Sequence, residues 1–174
     1  ALYLYTNCET FLCHGLSSQG LALDSHNNIR NRIMFLNAVA LNEHFEVSAL
    51  NALQKMAVLW MAEMVKLILR SSAENGDKLV NFDTHLATKG RSEIVAELAT
   101  HFNLNSDDAE IQKISKSPVW NKNSKNEKSD SFERRQTKIH AAAKQNRADI
   151  DATLEWAKSI CARNVTLHKL LAFF

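Results

Sequence analysis

The segment 117–136 contains the residues of this sequence best suited to bind an anion. It reads "SPVWNKNSKNEKSDSFERRQ". Lys122, Ser124 and Lys125 place two ammonium groups and one hydroxyl close together, and Asn126 follows them directly. Ammonium and hydroxyl groups donate hydrogen bonds to phosphate and sulfate oxygens. The segment therefore predicts an anion site, and its alternative interpretation is a lysine-rich connector in solvent.

The residues that follow this segment favour the same interpretation. Asp130 and Glu133 have the spacing of a helix capping box, which predicts that a helix begins here. A helix N-terminus presents free backbone N–H groups and the positive end of the helix dipole. A basic loop that leads into such a terminus is a favourable place for an anion.

A second group of polar residues follows the first apolar segment of the chain. Leu2–Tyr5 is short, apolar and aromatic, which predicts a buried strand. Thr6, Asn7 and His14 lie at or just after the carboxyl end of that strand. Ligands of parallel α/β folds bind at this edge, so the three residues are candidates for a ligand site. A turn with polar capping residues and a structural histidine would produce the same pattern.

Composition and charge narrow the class of protein. The chain has 174 residues, enough for a single domain with a sizeable core, and its net charge of +2 is too small to indicate nucleic acid. Cys8, Cys13 and Cys161 form no CxxC pair, which favours reduced thiols in a cytoplasmic protein over a disulfide or a zinc site. No metal site is expected. No membrane span is expected either, because the longest apolar run, 56–69, contains charged residues.

Hydrophobic periodicity predicts a helix-dominated α/β fold with two short strands and about six helices. The apolar stripe of 47–72 predicts a central, mostly buried helix, in which Met56, Met61 and Met64 fill the core. The segment 74–77 is expected to end this helix, with Gly76 as its left-handed terminus. The predicted strands are 2–5 and 78–83, and the predicted helices are 10–16, 24 or 25 to 41, 47–72, 92 to 101 or 102, 107–114 and 130–164.

The two predicted strands are joined through helices, which is typical of a parallel sheet. A sheet of two strands is marginally stable by itself. We therefore expect residues 1–174 to form one domain that is the C-terminal part of a larger parallel α/β fold, with its missing strands before Ala1.

Four segments, in their order along the chain, resemble the C-terminal part of a bacterial sulfotransferase-like P-loop family. "ALYLYTNCETFL" (1–12) resembles a strand and its following helix, and "GDKLVNFDTHLA" (76–87) resembles a later strand and turn. "SEIVAELATHFNL" (92–104) resembles a helix of that family, and "SPVWNKNSKN" (117–126) resembles the loop before its last helix. The resemblance spans nearly the whole chain.

The resemblance implies transfer of a sulfuryl group from 3′-phosphoadenosine 5′-phosphosulfate to a hydroxyl or amine of a small-molecule or carbohydrate acceptor. The family's phosphosulfate-binding loop lies near its N-terminus, and this chain contains neither GxxxxGK[ST] nor GxGxxG. The isolated chain is therefore expected to be inactive, and no catalytic residue is assigned.

The resemblance also assigns residues to the donor's 3′-phosphate. Many sulfotransferases bind it with an arginine at the end of the first strand and a serine eight residues later, where this sequence has Thr6 and His14. The family's basic closing loop corresponds to Lys122–Asn126, without its glycine. Loss of the arginine removes a bidentate phosphate partner.

Two alternatives to sulfuryl transfer remain open at the level of sequence. The helices 47–72 and 130–164 would suit a non-enzymatic, mainly helical interaction module. Because Thr6 replaces the arginine, the chain could also keep the P-loop-type fold and bind another phosphorylated ligand.

Overall fold

The structure, a computed structural model, describes residues 2–17, 26–40, 43–71, 76–81, 84–85, 88–118 and 132–174. The chain divides into two compact units. Unit 1 comprises residues 1–80 and 138–174, and unit 2 comprises residues 81–137. Each unit is described by itself below.

The described residues contain two strands and seven α-helices. The strands are β1 (Leu2–Tyr5) and β2 (Lys78–Asn81). The helices are α1 (Cys8–Ser17), α2 (His26–Val39), α3 (Ala52–Arg70), α4 (Arg91–His101), α5 (Asp108–Ser115), α6 (Phe132–Gln145) and α7 (Arg147–Arg163). Short 3₁₀ helices occupy Val47–Ala49 and His168–Phe173.

The two strands pair side by side in a parallel sheet, which confirms a helix-dominated α/β architecture. Gly76 has a φ of 70°, as predicted for a left-handed position that glycine adopts without steric cost. The prediction that Gly76 ends the helix is wrong, because α3 ends at Arg70 and Ser71 is its capping residue. The described part of β2 ends at Asn81, and the last two residues of the predicted strand, Phe82 and Asp83, lie outside the described residues.

Helix α3 is the centre of unit 1, as its apolar stripe predicts. It packs against α1, α2, α7 and the C-terminal 3₁₀ helix. Its buried side chains include the three methionines assigned to the core, which confirms that part of the prediction. The buried residues of α3 are Met56, Ala57, Val58, Trp60, Met61, Ala62, Met64 and Val65.

The start of α3 corrects the predicted helix 47–72. Residues Val47–Ala49 form a separate 3₁₀ turn, and α3 begins only at Ala52. Gln54 N donates to Asn51 Oδ1 at 2.9 Å, and Asn51 N donates to Gln54 Oε1 at 3.0 Å. This reciprocal capping box fixes the helix start at Asn51, because it satisfies backbone donors that have no partner inside the helix.

The last predicted helix, 130–164, is wrong as a single helix. Two helices, α6 and α7, are separated by Asn146, whose φ of −120° and ψ of 26° lie outside the helical region. Both the backbone N–H and the side-chain amide of Asn146 donate to the carbonyl of Ala142, at 3.1 and 3.0 Å. An asparagine that bonds a backbone carbonyl in this way competes with regular helix geometry, which accounts for the break.

Unit 2 contains α4 and α5, which pack against each other. The predicted cap of α4 at Ser92 is wrong, because Gly90 is the capping residue and Ser92 Oγ donates to Ser115 Oγ at 3.1 Å. The predicted start of α5 is confirmed by Asp107, whose Oδ1 accepts from Glu110 N at 2.8 Å. Within the described ranges of the chain, no helix combines the length and the apolar character needed to cross a membrane.

Candidate functional site

The end of β1 leads directly into α1, and Asn7 makes this connection. Its side-chain Oδ1 accepts a hydrogen bond from Thr10 N at 2.7 Å, and its carbonyl accepts from Phe11 N at 3.0 Å. Asn7 is therefore the N-cap of α1, and it explains why the helix starts at Cys8 rather than at the predicted Thr10. The capping bond uses the side-chain oxygen and leaves the amide N–H₂ group as the part of Asn7 that could donate to a ligand.

Thr6, the second predicted ligand residue, is tied to the core of unit 1. Its carbonyl accepts a hydrogen bond from the indole Nε1 of Trp60 at 2.8 Å. Trp60 is 3% exposed, and its ring meets Phe174 edge to face with centroids 4.9 Å apart. The carboxyl end of β1 is thus held against α3 by a partly buried hydrogen bond between residues distant in sequence.

His14, the third predicted residue, lies away from the other two. It is exposed in the second half of α1, and its carbonyl accepts from Ser17 Oγ at 2.9 Å. At the helical rise, seven residues separate it from Asn7 by roughly 10 Å along the axis. The structure brings Thr6 and Asn7 together at the end of the strand, and His14 does not join them.

The capping role of Asn7 gives a direct prediction. We expect Asn7→Ala to lower the free energy of unfolding by about 1 kcal/mol, because Thr10 N loses its acceptor. Asn7→Asp is the matched control and should keep the stability, since its carboxylate also accepts from Thr10 N and favours a helix N-terminus. Urea unfolding followed by circular dichroism measures both variants. Equal losses in the two variants would show that the side-chain oxygen does not cap α1.

The predicted anion loop falls in the part of the chain about which the structure gives no description. Lys122, Ser124, Lys125 and Asn126 all lie outside the described residues, as does Trp120. The assignment of this loop to an anion stays a prediction from sequence.

The three cysteines do not supply a nucleophile. All are free and buried in unit 1. Burial raises the pKa of Cys161 to about 12. Burial, and to a smaller extent the charge of Cys161, raises the pKa of Cys8 above that of Cys161. Burial also raises the pKa of Cys13. A thiol in this environment stays protonated at neutral pH, so it reacts poorly as a nucleophile.

Most of the charged side chains of α1, α2, α3 and α7 that the structure describes are paired with each other. Arg147 Nη1 lies 2.6 Å from Glu9 Oε1, and its Nε donates to Asp151 Oδ2 at 2.9 Å. The hydrogen bond from Arg147 lowers the pKa of Asp151. Arg163 Nε lies 2.6 Å from Glu43 Oε1, and its hydrogen bond lowers the pKa of Glu43. These groups support the fold and are already occupied.

A cleft on unit 1 contains cations that are not paired in this way. It has a volume of about 590 Å³ and lies between α2, the chain at 45–48 and the first turn of α3. Arg30 and Lys55 line it together with Ser48 and Glu46, and its apolar lining consists of Ile33, Met34, Phe45 and Val47. From the sequence, Arg30 and Arg32 could meet an anionic acceptor, but a solvated helix face also explains them. The sequence predicted no role for Lys55, because it lines the same cleft as Arg30 only through the packing of α2 on α3.

A second cleft, of about 420 Å³, lies between the N-terminal turns of α3 and α7. Its polar lining consists of Asn51, Gln54, Asn146, Asp149 and Thr153. Four of these residues already bond the backbone through caps or turns, which leaves them few free groups for a ligand. The cleft that contains Arg30 and Lys55 is therefore the better candidate site.

In the part of the chain that is described, no group of three His, Cys, Asp or Glu side chains could hold a metal ion.

No protein-family model, no curated protein and no solved structure matches this chain.

Proposed function

We propose that this chain is the C-terminal part of a cytoplasmic, sulfotransferase-like enzyme with a P-loop fold. The enzyme transfers a sulfuryl group from 3′-phosphoadenosine 5′-phosphosulfate to a hydroxyl or amine acceptor. The acceptor's oxygen or nitrogen attacks sulfur, and the bond from sulfur to the bridging phosphate oxygen breaks. That oxygen leaves with the electron pair as the 5′-phosphate, and the acceptor's proton passes to a base.

One observation carries the proposal. A strand with a parallel partner, β1, ends at Tyr5, and a capped helix begins at Cys8 immediately after it. Parallel α/β enzymes bind nucleotides at such strand-to-helix junctions. Thr6 lies in this junction, at the position where the resembling family places its 3′-phosphate arginine. The three free, buried thiols are consistent with a reducing compartment.

In this proposal the chain contributes positioning and charge rather than a covalent catalyst. The junction would hold the donor's 3′-phosphate, and the helices of unit 1 would face the acceptor. Holding two reactants in register and placing positive charge near the transferred group are sufficient to accelerate such a reaction.

A gain-of-function variant tests the donor site. We expect Thr6→Arg to tighten binding of 3′-phosphoadenosine 5′-phosphate by about tenfold, because a guanidinium forms two charge-assisted hydrogen bonds to a phosphate. Isothermal titration calorimetry on the chain measures the change. Adenosine 5′-monophosphate, which lacks the 3′-phosphate, should bind Thr6→Arg and the unaltered chain equally.

Leu4→Arg is the matched control for this experiment. Leu4 is 52% exposed on the same strand, so the variant adds the same charge two residues away from the proposed phosphate position. The double variant Lys122→Ala with Lys125→Ala should weaken binding of the nucleotide if the basic loop contributes. An equal gain in Leu4→Arg and Thr6→Arg, or a gain for both nucleotides, would refute the assignment of the 3′-phosphate to this junction.

A second candidate function is binding of a phosphorylated ligand other than 3′-phosphoadenosine 5′-phosphosulfate. The specific observation in its favour is the end of β1, where Thr6 bonds Trp60 through its carbonyl and Asn7 caps α1. Neither residue supplies the positive charge that the sulfotransferase donor site uses. The calorimetric comparison separates the two functions, because a different ligand predicts no gain of nucleotide binding from Thr6→Arg.

A further inference from the structure

We propose that the cleft between α2, the chain at 45–48 and the first turn of α3 binds a small amphipathic organic anion. The ligand class is an apolar body that carries one phosphate or carboxylate group. This inference goes beyond sulfuryl transfer and does not depend on it, because no residue of the cleft belongs to the end of β1 or to the basic loop.

The first argument is the state of the two cations. Arg30 and Lys55 line the same cleft, and neither makes a side-chain hydrogen bond or an ion pair in the described part of the chain. Arg32, a near neighbour of Arg30 on α2, bonds Glu63 at 2.8 Å. Lys55 is half-buried. Partial burial removes some of the water around its ammonium group, and no partner among the described residues replaces that water. Two unpaired cations that share one concave surface favour an anionic ligand.

The second argument is the balance of charge in the cleft. Glu46 is the one carboxylate in its lining, against Arg30 and Lys55. Its two oxygens are directed to other partners, with His44 Nε2 at 3.5 Å and the hydroxyl of Ser48 at 3.5 Å. Glu46 therefore reduces the positive potential of the cleft without neutralising it.

The third argument is the apolar floor beneath these charges. Ile33 and Phe45 are each 5% exposed, whereas Met34 is 68% exposed at the cleft. Phe45 is fixed by Asn37, whose Nδ2 donates to the Phe45 carbonyl at 3.1 Å and whose Oδ1 accepts from Phe45 N at 2.9 Å. Its ring also meets Trp156 edge to face, with centroids 6.5 Å apart. The floor is preorganised, and a flexible methionine at its side can adapt to an apolar ligand.

The size of the cleft restricts the ligand to a small molecule. Its volume of about 590 Å³ is within the range of ligand pockets in proteins. Inorganic phosphate would use the cations and leave the exposed side chain of Met34 in water. An apolar molecule without charge would leave the cations unpaired, so the arrangement favours a ligand that satisfies both.

The probe for the experiment is n-octyl phosphate below its micelle-forming concentration, titrated into the whole chain by calorimetry. We expect Arg30→Gln and Lys55→Gln each to weaken binding about fivefold, and Glu46→Gln to tighten it. Met34→Gln should weaken octyl phosphate but not inorganic phosphate, because Met34 contacts the apolar body. Arg70→Gln is the matched control, since Arg70 is an exposed cation on α3 outside the cleft and its loss should change affinity less than twofold.

The comparison of probes decides between ligand sources. Octyl phosphate should bind more tightly than inorganic phosphate and more tightly than 1-octanol. The proposal fails if inorganic phosphate binds as tightly, if Arg30→Gln and Lys55→Gln behave like Arg70→Gln, or if octyl phosphate does not bind. It also fails if phosphatidic-acid vesicles bind while monomeric octyl phosphate does not, because the site would then belong to a membrane surface. Urea unfolding of each variant confirms that the affinities refer to folded protein.

Discussion

Raising the pH from about 8 to about 10.5 is expected to lower the free energy of unfolding by about 4 kcal/mol through two buried thiols. Cys8 and Cys161 are both 0% exposed in the core of unit 1. Burial raises the pKa of Cys161 from its ordinary 9.0 to about 12 and raises the pKa of Cys8 still further. The folded chain therefore keeps both thiols protonated at a pH where the unfolded chain has released the protons.

The direction of this effect follows from the protons bound in each state. Below an ordinary thiol pKa of 9.0, both states are protonated and these groups give no pH dependence. Above it, only the unfolded state loses protons, so stability falls by about 1.4 kcal/mol per pH unit for each thiol. The loss from Cys161 continues until the pH reaches its folded pKa of about 12.

Urea unfolding at the two pH values, in the presence of a reductant, measures this loss. The double variant Cys8→Ala with Cys161→Ala is the control, because lysines and tyrosines still titrate in it while the two thiols are gone. Its stability at pH 8 should be lower, since both side chains are packed in the core, but its decline with pH should be shallower. The same decline in both proteins would contradict the assignment of the pH dependence to these thiols.

The main elements of unit 1 were predictable because their side chains follow a regular period. The stripe on α3 identified the central helix, and Met61 and Met64 were correctly placed in its core. The residues that ended or interrupted elements were harder to predict. Asn51 and Asn146 act through hydrogen bonds to single backbone groups, and apolar residues at helical spacing continue on both sides of Asn146. A pattern of apolar positions therefore does not reveal the break.

The candidate sites depended still more on tertiary structure. The sequence placed Thr6 and Asn7 at the end of a strand, and the structure confirms that position. It did not predict that Trp60 reaches the carbonyl of Thr6 from 54 residues away. Arg30 and Lys55 likewise line one cleft only because α2 packs on α3. No local spacing rule relates residues that lie on different helices.

Trp60→Ala is expected to lower the free energy of unfolding by about 3–5 kcal/mol, because it opens a cavity in the core beside α3. Trp60 is 3% exposed, and its ring packs edge to face against Phe174 at 4.9 Å. Its Nε1 donates to the carbonyl of Thr6 at 2.8 Å, so the variant also leaves the carbonyl that follows β1 without this donor. Chemical unfolding followed by circular dichroism measures the loss.

Trp60→Phe separates the hydrogen bond from the packing, because phenylalanine keeps an aromatic ring but has no N–H. We expect this variant to lose about 1–3 kcal/mol of stability, because the half-buried carbonyl of Thr6 loses this donor. Trp156→Phe is the matched control, since Trp156 is half-buried and packs against Phe45 through ring contact. Its loss should stay below about 1 kcal/mol, within the range of a modest change of side-chain volume. If both variants lose the same amount, the bond to Thr6 adds nothing measurable. A larger loss for Trp60→Phe shows that the hydrogen bond holds the end of β1 against α3, in the geometry that the proposed donor site requires.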